Sequence, residues 1–143
     1  MKKIIALFII TALLFSVSCS RNDRTNPRTD RSPIRKWFPN LDGIETVLWE
    51  GKNVSRTARI IPDGTAVNAH GVIRLSHEKA MWLIRNYEWE QSEPPIHADT
   101  FGTKKYEGHV WMHSDEFVKM YKPEKIHGDM WFDGVSVWFD ITK

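Results

Sequence analysis

Hydrophobic positions along the 143 residues fall into three regimes. An apolar run over residues 4–14 follows Lys2 and Lys3. Residues 20–33 carry no hydrophobic period and are dominated by Arg, Asn, Asp, Thr and Pro, the pattern of a flexible tether. Beyond them, with Ile34 and Trp37-Phe38 as the first apolar positions, periods of two and of 3.6 alternate.

The β-branched residues of 44–50 predict a strand, although Asp42 with Glu45 also fits a capping box and leaves open a short helix ending at Gly51. Residues 54–61 predict a second strand, and Ile61-Pro62-Asp63-Gly64 a type I turn. A third extended stretch over residues 65–75 follows, with a break near residues 68–71. Ser76 is placed as an N-cap, and Ala80, Leu83, Ile84 and Tyr87 form the i, i+3, i+4, i+7 stripe of a helix over roughly 77–88. Residues 90–102, with Pro94-Pro95 and Gly102, predict a long loop. A strand over 106–112, a second N-cap at Ser114, a short helix over 116–121 stopped by Pro123, and a hairpin over 130–141 turning at Asp133-Gly134 complete the chain. Together these elements predict one α+β domain: an antiparallel sheet of about five or six strands, two helices and a C-terminal β-hairpin.

The single cysteine, Cys19, changes the picture at the N-terminus. The charged start, the apolar run and the small residues after it make up an export signal, and the run is too short for the roughly 20 residues of a membrane span. Phe15-Ser16-Val17-Ser18-Cys19 resembles a lipobox, the site at which bacterial lipoproteins are acylated on cysteine and cut just before it. Ser16 departs from that pattern, standing where Leu is usual, and an ordinary secretory peptidase would also accept the small residues Ser16 and Ser18. The resemblance implies a lipid anchor at Cys19 and, with Ser20 rather than Asp after it, the outer membrane in preference to the inner. The predicted organisation is a signal peptide over 1–18, a basic tether over 19–35 and a globular domain over 36–143.

Removing residues 1–18 takes away Lys2 and Lys3 and leaves 18 basic and 18 acidic residues. The balance is uneven. Arg21, Arg24, Arg28, Arg31, Arg35 and Lys36 outweigh Asp23 and Asp30 in residues 20–36, while residues 37–143 are net acidic. A basic segment beside an anchor suits anionic head groups or peptidoglycan carboxylates. An acidic domain disfavours nucleic acid as a partner.

Candidate chemistry is sparse. Six histidines invite a metal, but His109 and His113 on one strand face would stand roughly 13 Å apart. No Gly-x-Ser-x-Gly motif or phosphate-binding glycine loop occurs, and no cofactor is implied. Glu88, Glu90 and Glu93 are candidate carboxylates only if the fold brings two together. The seven tryptophans carry more signal. Strand alternation puts Val135, Val137, Phe139 and Ile141 on one face and leaves Trp138 beside Ser136 and Asp140, on the more polar face, unless a second layer covers it. Trp82 lies on the shoulder of its helix near Lys79, and Trp89 at that helix's exit between two glutamates. Trp138, Trp82 and Trp89 are therefore the candidate binding residues. The favoured function is a non-catalytic module that binds an envelope protein, of inhibitor, immunity or exclusion type. The alternatives are a peptidoglycan or glycan binder using exposed Trp and, last, a periplasmic hydrolase.

Overall fold

The computed structural model describes residues 27–53, 67–94, 106 and 108–143. Three helices occur among them, α1 (Ser32–Trp37), α2 (His77–Asn86) and α3 (Asp115–Tyr121), with six strands: β1 (Ile44–Asn53), β2 (Val67–Leu75), β3 (Glu90–Gln91), β4 (Met112–His113), β5 (His127–Phe132) and β6 (Ser136–Thr142). The strands form one antiparallel sheet in the order β1-β2-β6-β5-β4-β3. The fold is the single α+β domain that the chain predicts.

Alternation decides the layers. Val47 and Trp49 of β1, Ala69, Ile73 and Leu75 of β2, Met130 and Phe132 of β5, and Val137, Phe139 and Ile141 of β6 share one face. They pack with Ile34 and Trp37 of α1, Ala80 and Leu83 of α2, and Phe117 and Tyr121 of α3 in one hydrophobic core. All three helices therefore cover the same face of the sheet. The opposite face has its own buried cluster of Val72, Tyr106, Trp111, Trp131 and Trp138. Buried on both faces, the centre of the sheet needs little alternation in polarity.

Local chemistry accounts for the element ends. Ser76 Oγ accepts the Lys79 amide at 3.3 Å and Ser114 Oγ accepts the Phe117 amide at 3.4 Å, so both serines cap their helices. In the β5–β6 hairpin, Asp133 Oδ1 accepts the amides of Val135 (2.9 Å) and Ser136 (2.6 Å), and Gly134 takes φ 94°. A left-handed residue in that turn suits glycine, which carries no Cβ.

Several expectations need correction. The tether does not run to residue 35, because α1 begins at Ser32, with Pro33 at its start and Ile34 and Trp37 in the core. Arg28 already joins the sheet through paired backbone hydrogen bonds with Trp49 (2.7 and 2.9 Å). The capping box at Asp42 does not form: Gly43 takes φ 70°, β1 starts at Ile44, Asp42 pairs with Lys79, and Glu45 lies 3.8 Å from Arg74. Within the loop expected from residue 90, Glu90 and Gln91 pair with His113 and Met112. Among the described residues of the strand expected over 106–112, only Met112 lies in a strand, at the start of β4. Ile84, placed in the helix stripe, is exposed. The strand expected over 54–61, the turn over 61–64, and Cys19 with its signal lie outside the described residues.

Candidate functional site

α2 presents the largest exposed ring among the described residues. Its Ser76 cap sets the helix phase so that Ala80 and Leu83 enter the core, which turns Trp82 outward at 46% exposure. The ring is not loose on the surface. Lys79, three residues earlier, holds its ammonium 4.8 Å from the centre of the Trp82 ring, and Tyr87 meets the ring edge-on at 6.0 Å.

That ammonium joins three elements. It donates to Tyr121 Oη of α3 at 3.1 Å, lies 5.1 Å from the Tyr121 ring centre, and forms an ion pair with Asp42 in the segment before β1. Burial works against the charge on Lys79, but the hydrogen bonds to Asp42 and Tyr121 outweigh it and hold the ammonium above its usual pKa. Asp42 responds in the opposite sense. Its hydrogen bond from Lys79 keeps the carboxyl below the ordinary value, although the side chain remains largely exposed. Tyr87 is pushed up to about 12, first by burial and then by its hydrogen bond with Tyr121. A shallow cleft of about 330 Å³ opens beside Asp42, lined also by Arg35, Phe38, Leu41 and Ile44. The surface thus sets an ordered indole face and a fixed positive charge close to an exposed carboxylate.

The other two candidates take different places. Trp89 is half-buried: its indole N–H donates to the Leu83 carbonyl at 3.1 Å, and its ring packs 5.2 Å from Phe117 and 5.0 Å from Phe132. It closes the end of α2 and offers little surface to a partner. Trp138 is a correction, because it is fully buried rather than on an open polar face. Trp111 lies edge-on to it at 6.3 Å and His70 stacks on it at 6.4 Å. The covering layer comes from Tyr106 and Trp111, a segment whose sequence reads as a strand and whose packing direction no local period reveals.

His70, His109 and His113 each lie beside carboxylates, His70 at 3.7 Å from Glu50. His109 Nδ1 lies 2.7 Å from Asp133, and His113 Nε2 lies 2.7 Å from Asp129, with Asp115 at 3.6 Å from its other ring nitrogen. Among the described residues no group of three or more His, Cys, Asp and Glu side chains is placed to hold a metal. Glu88, Glu90 and Glu93 are all exposed. Lys79, Asp42 and Tyr121 were not legible as functional partners. The Lys79–Trp82 spacing hints at one contact, but Asp42 and Tyr121 are brought in only by tertiary packing.

No family model, no curated protein and no solved structure matches the chain.

Proposed function

We propose that the chain is a bacterial envelope lipoprotein, anchored through acylated Cys19, whose domain is a non-catalytic binding module for a protein partner. The observation that carries the binding role is the Trp82 face: a large exposed indole braced by Lys79 and Tyr87. A braced aromatic loses little conformational freedom on docking, the character of an interface hot spot. Asp42 beside it, paired with Lys79 through one oxygen and still largely exposed, leaves the other oxygen for a partner's Arg or Lys, fixing orientation more than affinity.

The anchor is supported by the lipobox-like segment at Cys19 and by the basic residues that follow it. Two or more acyl chains are what stable anchoring requires, since a single chain gives only marginal residence.

The test is crosslinking in cells of the full-length protein, with mass spectrometry of what is captured. One protein recovered in near-equal amount with the wild-type chain, and lost on Trp82→Ala, is the expected result. Undiminished capture by the Trp82→Ala variant would remove this face from consideration. For the anchor, Cys19→Ser should move the protein from the membrane to the soluble fraction. A peptidoglycan or glycan binder now has Trp82 as its remaining exposed candidate, and sacculus pull-down with Trp82→Ala separates that outcome.

A further inference from the structure

The residues expected to form a loose basic tether are in large part held on a folded surface. Arg31 stands at the start of α1, and Arg35 and Lys36 lie in its last turn. All three are exposed, while Ile34 and Trp37 of the same helix are locked into the core. Their positions relative to the sheet are therefore fixed.

The neighbouring carboxylates are engaged elsewhere. Asp30 pairs with Arg28 at 3.1 Å, Asp42 with Lys79, and Glu45 lies near Arg74 at 3.8 Å. Among the described residues no carboxylate lies within salt-bridge distance of Arg31, Arg35 or Lys36. The Arg31 guanidinium reaches only the Ile44 carbonyl, at 3.4 Å. Three cations without an ion pair among the described residues, Arg35 sharing its cleft with Asp42, thus lie at one end of a domain whose residues 37–143 are net acidic.

Chain length puts that end near a membrane. From Cys19 to Arg28, where the chain is clamped to Trp49, is nine residues, which span at most about 30 Å when fully extended. Resting on the anchor proposed above, we infer that the α1 face is a docking surface for anionic phospholipid head groups. It sets the sheet with its β1 edge toward the bilayer. Arg31, Arg35 and Lys36 meet phosphates, each guanidinium able to bind two oxygens at once. The opposite edge, β3, then stands about 24 Å further out, five strand spacings away.

The test uses the full chain purified from membranes and reconstituted into vesicles of phosphatidylcholine alone or with one-third phosphatidylglycerol. A membrane-impermeant amine reagent then labels the lysines, and peptide mass spectrometry reads each one. Lys36 should label at least several-fold more slowly in the anionic vesicles, relative to Lys125 and Lys143 of the same sample. The protection should vanish in about 0.5 M salt, where the screening length falls to a few ångströms. The double variant Arg31→Glu, Arg35→Glu should label at the phosphatidylcholine rate in both vesicles. Equal labelling of Lys36 in the two vesicle types overturns the inference, as does protection by added peptidoglycan sacculi but not by anionic lipid. Intact mass of the same sample reports acylation separately. A chain without acyl groups that still protects Lys36 when added to anionic vesicles would sink the anchor and leave this face standing.

Discussion

Burial gives Trp138 and Trp82 different roles. Trp138 has no exposed surface, so Trp138→Ala should cost about 3–5 kcal/mol, the range for emptying a large aromatic site, and denaturant unfolding will read it directly. Any loss of binding in that variant would report unfolding. Trp138→Phe keeps most of the volume and should cost far less. Trp82 is 46% exposed, and Trp82→Ala should leave the melting temperature nearly unchanged while abolishing capture of the partner. The Lys79 cluster gives a pH signature. Lys79 and Tyr87 bind their protons more tightly in the folded state, Tyr87 moving from 10.0 to about 12. The stability tied to them is complete below about pH 10 and is lost as pH rises through the folded values. Asp42, held below 3.8, acts in the opposite direction, its contribution being lost as pH falls through its lowered value. Thermal melts between pH 9 and 12 should therefore show an alkaline decline that Tyr87→Phe reduces. An unchanged decline in that variant would assign it to other groups.

The elements that were readable in the chain are those with a chemical stop or a sustained period. Ser76 and Ser114 mark two helix starts because a side-chain oxygen at that position satisfies an amide nothing else can reach. Asp133-Gly134 marks the hairpin because a side-chain carboxylate oxygen there accepts the turn amides of Val135 and Ser136 and the next residue is left-handed. By contrast, α1 is only six residues long and its apolar positions, Ile34 and Trp37, are set among three basic residues, Arg31, Arg35 and Lys36, so composition masks a helical spacing that is present. The two-residue strands β3 and β4 have no period to read at all. Trp138 was assigned by the correct alternation, and only the layer above it, a non-local fact, was missing. A glycine decides the β5–β6 pairing. Gly128 takes φ 109°, and a Cβ there would sit 2.1 Å from the Asp140 carbonyl oxygen. Gly128→Ala should thus destabilise by more than the 1 kcal/mol or so of an ordinary strand substitution, with amide exchange rising first along residues 127–130. Ser114→Ala, which only removes a cap, should cost about 1 kcal/mol.

In the whole molecule, charge and aromatic surface are divided between neighbouring regions of the helix-covered side. The α1 end carries Arg31, Arg35 and Lys36, and α2 carries Trp82, so the proposed lipid and protein contacts fall on different residues. Charge reversal on α1 should change the orientation of the domain without changing partner capture in solution, while Trp82→Ala should do the converse. Crosslinking and lysine labelling on the two variants check that independence. The clamp at Arg28 has a mechanical side as well. With the proposed anchor at Cys19, a pull on the chain meets, in order, the two backbone hydrogen bonds between Arg28 and Trp49, the guanidinium lying 4.4 Å over the Trp49 ring, and the bond from the Trp49 indole to the Asp30 carbonyl at 3.1 Å. Force therefore enters at one sheet edge and strips this short segment before it reaches Ile34 and the core. Under that anchor the clamp would act as a fuse: a tug at Cys19 frees a few residues and leaves α2, with the proposed docking residue Trp82, folded.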